Sequence, residues 1–163
     1  MYQVGHYGTA LVAYAPLGTA VALAGHETTA ILGALACVAL STLPDCDHRV
    51  PLVEHRGPTH SLAFALLVGA GLAGIAAMLV DAGSPLLGVG LVGFAFAVGA
   101  LSICSHLLAD ALTPMGIRPL WPLSNRRYTL AVTRAANPLA NYALLGVGVG
   151  AVLAGAVVVA ALG

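Results

Sequence analysis

Five apolar stretches divide the chain, at about residues 7–25, 28–44, 60–80, 85–109 and 138–162, and the polar residues gather between them. A helix needs roughly 20 predominantly apolar residues to cross the hydrocarbon of a bilayer. The second stretch is marginal by that measure and the others suffice. The pattern predicts an all-α fold, a polytopic transmembrane bundle of about five spans forming a single domain over residues 1–163. Pro16 lies inside the first stretch, where neighbouring helices can re-satisfy the backbone group it leaves unpaired. Residues 1–10 carry no Lys or Arg, which the n-region of a cleaved signal peptide requires, so the first stretch is expected to be a retained span.

The connections alternate in length. His26–Glu27 and Asp81–Ser84 are short enough for tight helical hairpins, whereas 45–59 and 110–137 are long and polar. Alternation of this kind puts both long segments on one membrane face, together with the N-terminus. Pro114, Pro119 and Pro122 make the second long segment irregular, folded back over the bundle, with Trp121 and Tyr128 as interfacial anchors. The spans hold runs such as Gly69-Ala-Gly-Leu-Ala-Gly74, Gly88-Val-Gly-Leu-Val-Gly93 and Gly146-Val-Gly-Val-Gly150. Small residues let membrane helices approach closely.

Composition supports lipid as the solvent: 60% of residues are hydrophobic and only 7% charged, against about a quarter charged in a soluble domain. The formal net charge is zero, so there is no basic footprint for nucleic acid. The basic residues are all arginines: Arg49 and Arg56 in the first long segment, Arg118, Arg126, Arg127 and Arg134 in the second. By the positive-inside rule that face is cytoplasmic, with the N-terminus in and the C-terminus out. Cys37, Cys46 and Cys104 are an odd set in mostly apolar settings, which argues against a disulfide framework.

Five of the six histidines share the arginine face. His6 precedes the first span, Asp45, Asp47 and His48 follow the break that Pro44 makes in the second, and His55 and His60 precede the third. His106 and Asp110 are four residues apart near the end of the fourth, one turn apart on one helical face, with Ser102 on the same stripe. Thr59 is the expected N-cap of the third helix, which would put His60 in its first turn. Imidazoles and carboxylates from several helices meeting at one bundle end suit Zn²⁺, Mn²⁺ or Fe²⁺. Four such groups fill the shell of one ion, and six or more suggest two ions bridged by a carboxylate, or one ion with a generous outer shell. His26, on the opposite face, reads as a polar cap, and the simplest alternative for His106 with Asp110 is a helix-stabilising pair.

Leu43-Pro-Asp-Cys-Asp-His48, then His55-Arg-Gly-Pro-Thr-His-Ser61, then the run from Ser105 through Ala-Asp110 to Pro122-Leu-Ser124 resemble the YdjM-like family of LexA-regulated, membrane-bound metal-dependent hydrolases. Gly5-His6 matches that family's opening, so the likeness runs from residue 5 to about 124. Pro58 departs from it, standing where an aromatic commonly precedes the motif's threonine. The resemblance implies an inner-membrane hydrolase whose metal ligands are drawn from His6, Asp45, Asp47, His48, His55, His60, His106 and Asp110. The working assignment takes all of these as ligands except Asp47, expected as general base. Arg56, with Arg126 or Arg127, is expected to neutralise a phosphate or carboxylate on the substrate, or, for Arg56, to balance the charge of the carboxylates. A membrane-lipid phosphate ester is the expected substrate. The alternative is a metal-binding membrane protein without hydrolytic activity: a transporter, a sensor or a structural metal site. The span centres hold little but Ala, Gly, Leu and Val, which disfavours a transport path.

Overall fold

A computed structural model describes residues 1–49, 56–80 and 85–163. His55 and the hairpin expected at Asp81–Ser84 lie outside the described residues. Five α-helices are present among them: α1 (Gln3–Leu23), α2 (Glu27–Leu40), α3 (Leu62–Leu79), α4 (Pro85–Ala111) and α5 (Pro138–Leu162). Two 3-10 turns, Leu43–Arg49 and Pro58–His60, lie between α2 and α3. α1 packs against α2, α4 and α5, and α4 against α1, α2 and α3.

Among the described residues, four segments are long and apolar enough to cross a membrane: Glu27–His48, Leu62–Leu79, Gly90–Ala111 and Pro138–Leu162. α1 has the length, 21 residues, but is more polar than these four, and the count agrees roughly with the expected five. The reason lies in its position. α1 is shielded by three other helices, so its polar groups meet protein rather than lipid. Thr9 Oγ1 donates to the Gly5 carbonyl at 2.6 Å, Thr19 Oγ1 to that of Ala15 at 2.8 Å, and Tyr14 Oη to that of Ala30 on α2 at 2.7 Å. Satisfying polar groups inside the protein is the condition for placing them at membrane depth.

The marginal second stretch is a helix of 14 residues extended by the 3-10 turn. α2 ends at Leu40, ahead of Pro44, and the turn carries Asp45, Asp47 and His48. The N-cap of α3 is Ser61, not Thr59 as the sequence suggested. Ser61 has extended backbone angles and its hydroxyl accepts from the Phe64 amide at 3.2 Å, while the Thr59 hydroxyl is engaged by Asp47. The 112–137 segment does fold back: Ile117 and Tyr128 exchange backbone hydrogen bonds, the Leu130 amide donates to Ala111, and the Leu62 amide donates to Pro119 at 2.9 Å.

Only some glycines of the sequence runs are at helix contacts. A Cβ on Gly8 would strike the backbone of Leu144 and Leu145, and one on Gly148 the Gly8 carbonyl, so α1 and α5 touch through this pair. A Cβ on Gly99 would lie 2.9 Å from the Gly69 Cα, which joins α3 to α4 in the same way. Gly71, Gly74, Gly146 and Gly150 have open space around them. Gly8→Leu is therefore expected to destabilise the protein by at least about 1–3 kcal/mol, because backbone cannot yield to it, and Gly150→Leu to stay within about 0.5 kcal/mol. Thermal unfolding in detergent checks both, and equal effects would contradict the packing described.

Candidate metal centre

The polar residues converge where α1 and α3 begin and α2 and α4 end. Asp45, His60, His106 and Asp110 each offer a ligand atom, and these four atoms lie within 4.8 Å of one another. His60, His106 and Asp110 are buried, while the Asp45 side chain is 31% exposed and forms the open edge. His60 and His106 approach through their Nε2 atoms at 3.1 Å. Asp45 Oδ1 lies 3.5 and 3.6 Å from those two nitrogens, and Asp110 Oδ2 is equally 3.5 and 3.6 Å away. Four ligands at about 2.1 Å around a tetrahedral ion are about 3.4 Å apart. The five separations fit that figure.

Hydrogen bonding fixes the tautomers. His106 Nδ1 faces the Ser41 carbonyl at 2.7 Å and must donate to it. The carbonyl is available because α2 has ended and its last acceptors have no helical partner. His60 Nδ1 is 3.0 Å from Thr59 Oγ1, which lies 2.8 Å from Asp47 Oδ2. The carboxylate can only accept, so Thr59 donates to Asp47 and accepts from His60. The two Nε2 atoms point at each other. Burial pushes the His60 pKa below 6.5, with the neighbouring carboxylates opposing the shift. Together with the two carboxylates, the two nitrogens could hold a cation.

Asp47 is buried on the outer side of His60. Its Oδ2 takes the Thr59 hydroxyl, accepts from the Arg56 amide at 3.3 Å and lies 3.4 Å from His60 Nδ1. A carboxylate behind a ligating histidine orients the ring and raises its basicity. These contacts describe an orienting group. The Arg56 guanidinium is likewise committed: Nη2 to Asp110 Oδ1 at 2.9 Å, Nη1 to the Gly116 carbonyl at 2.9 Å and to Thr113 Oγ1 at 3.3 Å. Of the two roles the sequence left open for it, these contacts describe charge balance.

His6 is fully buried, its ring stacked on His106 with centroids 4.0 Å apart, outside the group of four. His48 is exposed and also outside the group. Arg126 and Arg127 are exposed on the folded-back segment, Arg126 over the Tyr128 ring at 5.4 Å and Arg127 donating to the Met115 carbonyl at 3.3 Å. His26 is at the far end, preceding α2. Sequence reasoning missed the Ser41 carbonyl, Thr113, and the Met1 amino group, 3.1 Å from Asp110 Oδ1. A backbone carbonyl at a helix end leaves no mark in residue type.

The fold and this cluster define the chain as a polytopic helical membrane protein with a histidine–aspartate site able to bind a metal ion at one end of the bundle. It belongs to the YdjM inner membrane protein family, whose sequence profile matches residues 1–163. Neither the curated proteins nor the solved structures compared with it give a match.

His106→Ala or Asp110→Ala is expected to abolish stoichiometric metal binding, and Thr59→Val or Asp47→Asn to weaken it about 10–100-fold by releasing His60. His26→Ala should leave it unchanged. Metal titration of the purified protein checks the series, and equal loss in His26→Ala and His106→Ala would contradict the site.

Proposed function

We propose that this protein is a metal-dependent hydrolase working at the membrane interface, on a substrate bearing a phosphate ester such as a membrane lipid. The observation that carries the reading is the convergence of two histidine Nε2 atoms, 3.1 Å apart, with two carboxylates, Asp45 being partly exposed at the edge. A divalent ion held there would supply Lewis-acid activation of water and polarisation of the ester. The donors are nitrogen and oxygen without thiolate, a set open to Zn²⁺, Mn²⁺ or Fe²⁺. Asp45, His60, His106 and Asp110 would hold the ion, Thr59 and Asp47 would keep His60 turned inward, and Arg56 would fix Asp110. Arg126 and Arg127, exposed on the folded-back segment, would attract the anionic group of the substrate from outside the cluster.

A second reading has its own support. Five of the six donor separations lie near those of a four-ligand shell, which is the habit of structural metal sites. The two readings differ in what chelation does. For a hydrolase, metal-loaded protein in lipid releases inorganic phosphate or alcohol from a panel of lipid phosphate esters. Chelation then stops turnover with the helices intact, and added metal restores it. For a structural site, chelation unfolds the bundle and no ester is turned over.

We also propose that the site faces the cytoplasm, because the arginines lie in the segments at that end. In a variant lacking the three native cysteines, a cysteine at Arg126 should react with an impermeant reagent only after the membrane is opened. A cysteine at His26 should react in intact cells. The reverse labelling would place the site outside.

A further inference from the structure

We propose that the centre takes two ions, the second held on the His6 side of the same two aspartates. This rests on the metal-centre reading above. Each carboxylate shows one oxygen to the histidine pair and the other to His6: Asp45 Oδ1 and Asp110 Oδ2 face His60 and His106, while Asp45 Oδ2 and Asp110 Oδ1 lie 3.9 and 3.8 Å from His6 Nε2. Carboxylates used on both sides are the bridging ligands of two-ion sites. Neither nitrogen of the fully buried His6 ring has a hydrogen-bond partner among the described residues. A buried polar group left this way is costly and calls for a ligand. Separations of 3.8–3.9 Å exceed a hydrogen bond but suit two donors on one ion, with bonds of about 2.1–2.2 Å and a wide angle between them.

The ring stack gives the spacing. His6 and His106 lie nearly parallel, 7° apart, with centroids separated by 4.0 Å. Ions in paired sites are about 3.5–4 Å apart, so stacked imidazoles at this distance can each serve their own ion. The second position differs from the first in two respects. It has fewer protein donors, which leaves more coordination places for water or a phosphate oxygen. It also competes with cations, since Asp110 Oδ1 already meets Arg56 Nη2 at 2.9 Å and the Met1 amino group at 3.1 Å. The second ion therefore enters after the first and is held more weakly.

Mn²⁺ titration of the purified, metal-stripped protein, followed by binding stoichiometry and electron paramagnetic resonance, tests this without any substrate. Wild type should bind two Mn²⁺ per chain in separable steps, and the spin-coupled signal of a close pair should appear only as the second enters. His6→Ala should keep the tighter ion, bind one Mn²⁺ in total and give only the uncoupled six-line signal. Saturation of wild type at a single ion, or a coupled pair surviving in His6→Ala, overturns the second site and leaves the first standing. Loss of all binding in folded His6→Ala also overturns it, because His6 would then belong to the first ion. Wild type that binds no Mn²⁺, Zn²⁺ or Fe²⁺ removes the metal-centre reading itself. If His6→Ala does not fold, wild-type stoichiometry and the coupled signal decide alone.

Discussion

Two imidazole nitrogens face each other at 3.1 Å with a carboxylate oxygen on either side. In a largely buried site such a grouping is unfavourable by itself, since the two carboxylates repel. The surrounding chain holds it together. α2 stops at Leu40, and that one termination has two effects. It frees the Ser41 carbonyl to orient His106, and it starts the 3-10 turn that sends Asp45 into the cluster and Asp47 behind His60. Pro58–His60 brings His60 in from the next connection, and Ser61 caps α3 directly after it. Arg56 ties the 3-10 region to the end of α4 by its bonds to Asp110, Thr113 and Gly116. It does so with a backbone φ of +61°, a conformation that side chains seldom adopt and that the surrounding contacts must sustain.

The rest of the bundle supplies a rigid frame. In lipid there is little hydrophobic drive between helices, so close packing and internal hydrogen bonds carry the association. α1 and α5 meet at Gly8 and Gly148, and α3 and α4 at Gly69 and Gly99. Asn141 makes the corresponding polar tie at the site end: buried near the start of α5, it accepts from the Tyr2 amide at 3.0 Å and donates to the Ala135 and Asn137 carbonyls. It thereby fixes the start of α1, from which His6 reaches the cluster.

Much of this was legible in the residues. Hydropathy alone marked the five helices, because lipid demands long apolar runs, and the lengths of the connections put the polar groups at one end. His106 with Asp110 followed from helical spacing. What was not legible depended on direction in irregular backbone. Asp45 and Asp47 are two apart in a short polar turn, and residue type cannot say which faces inward. Thr59 and Ser61 are both good caps, and the choice between them was made by Asp47 claiming the threonine hydroxyl. His48 was grouped with the ligands by proximity in sequence, yet it is exposed, outside the group of four. The glycine runs showed that helices approach closely but not which glycine lies at the contact, since period and face in these uniformly apolar helices are not marked by polar neighbours.

The central claim, that His60, His106, Asp45 and Asp110 form one metal-binding position, is tested most directly by X-ray absorption at the zinc edge on purified protein loaded with one equivalent of Zn²⁺. The account predicts a shell of four nitrogen and oxygen neighbours at about 2.0–2.2 Å, outer-shell scattering from two imidazoles, and no sulfur at about 2.3 Å. A shell of water oxygens without imidazole scattering, or one containing sulfur, would contradict it.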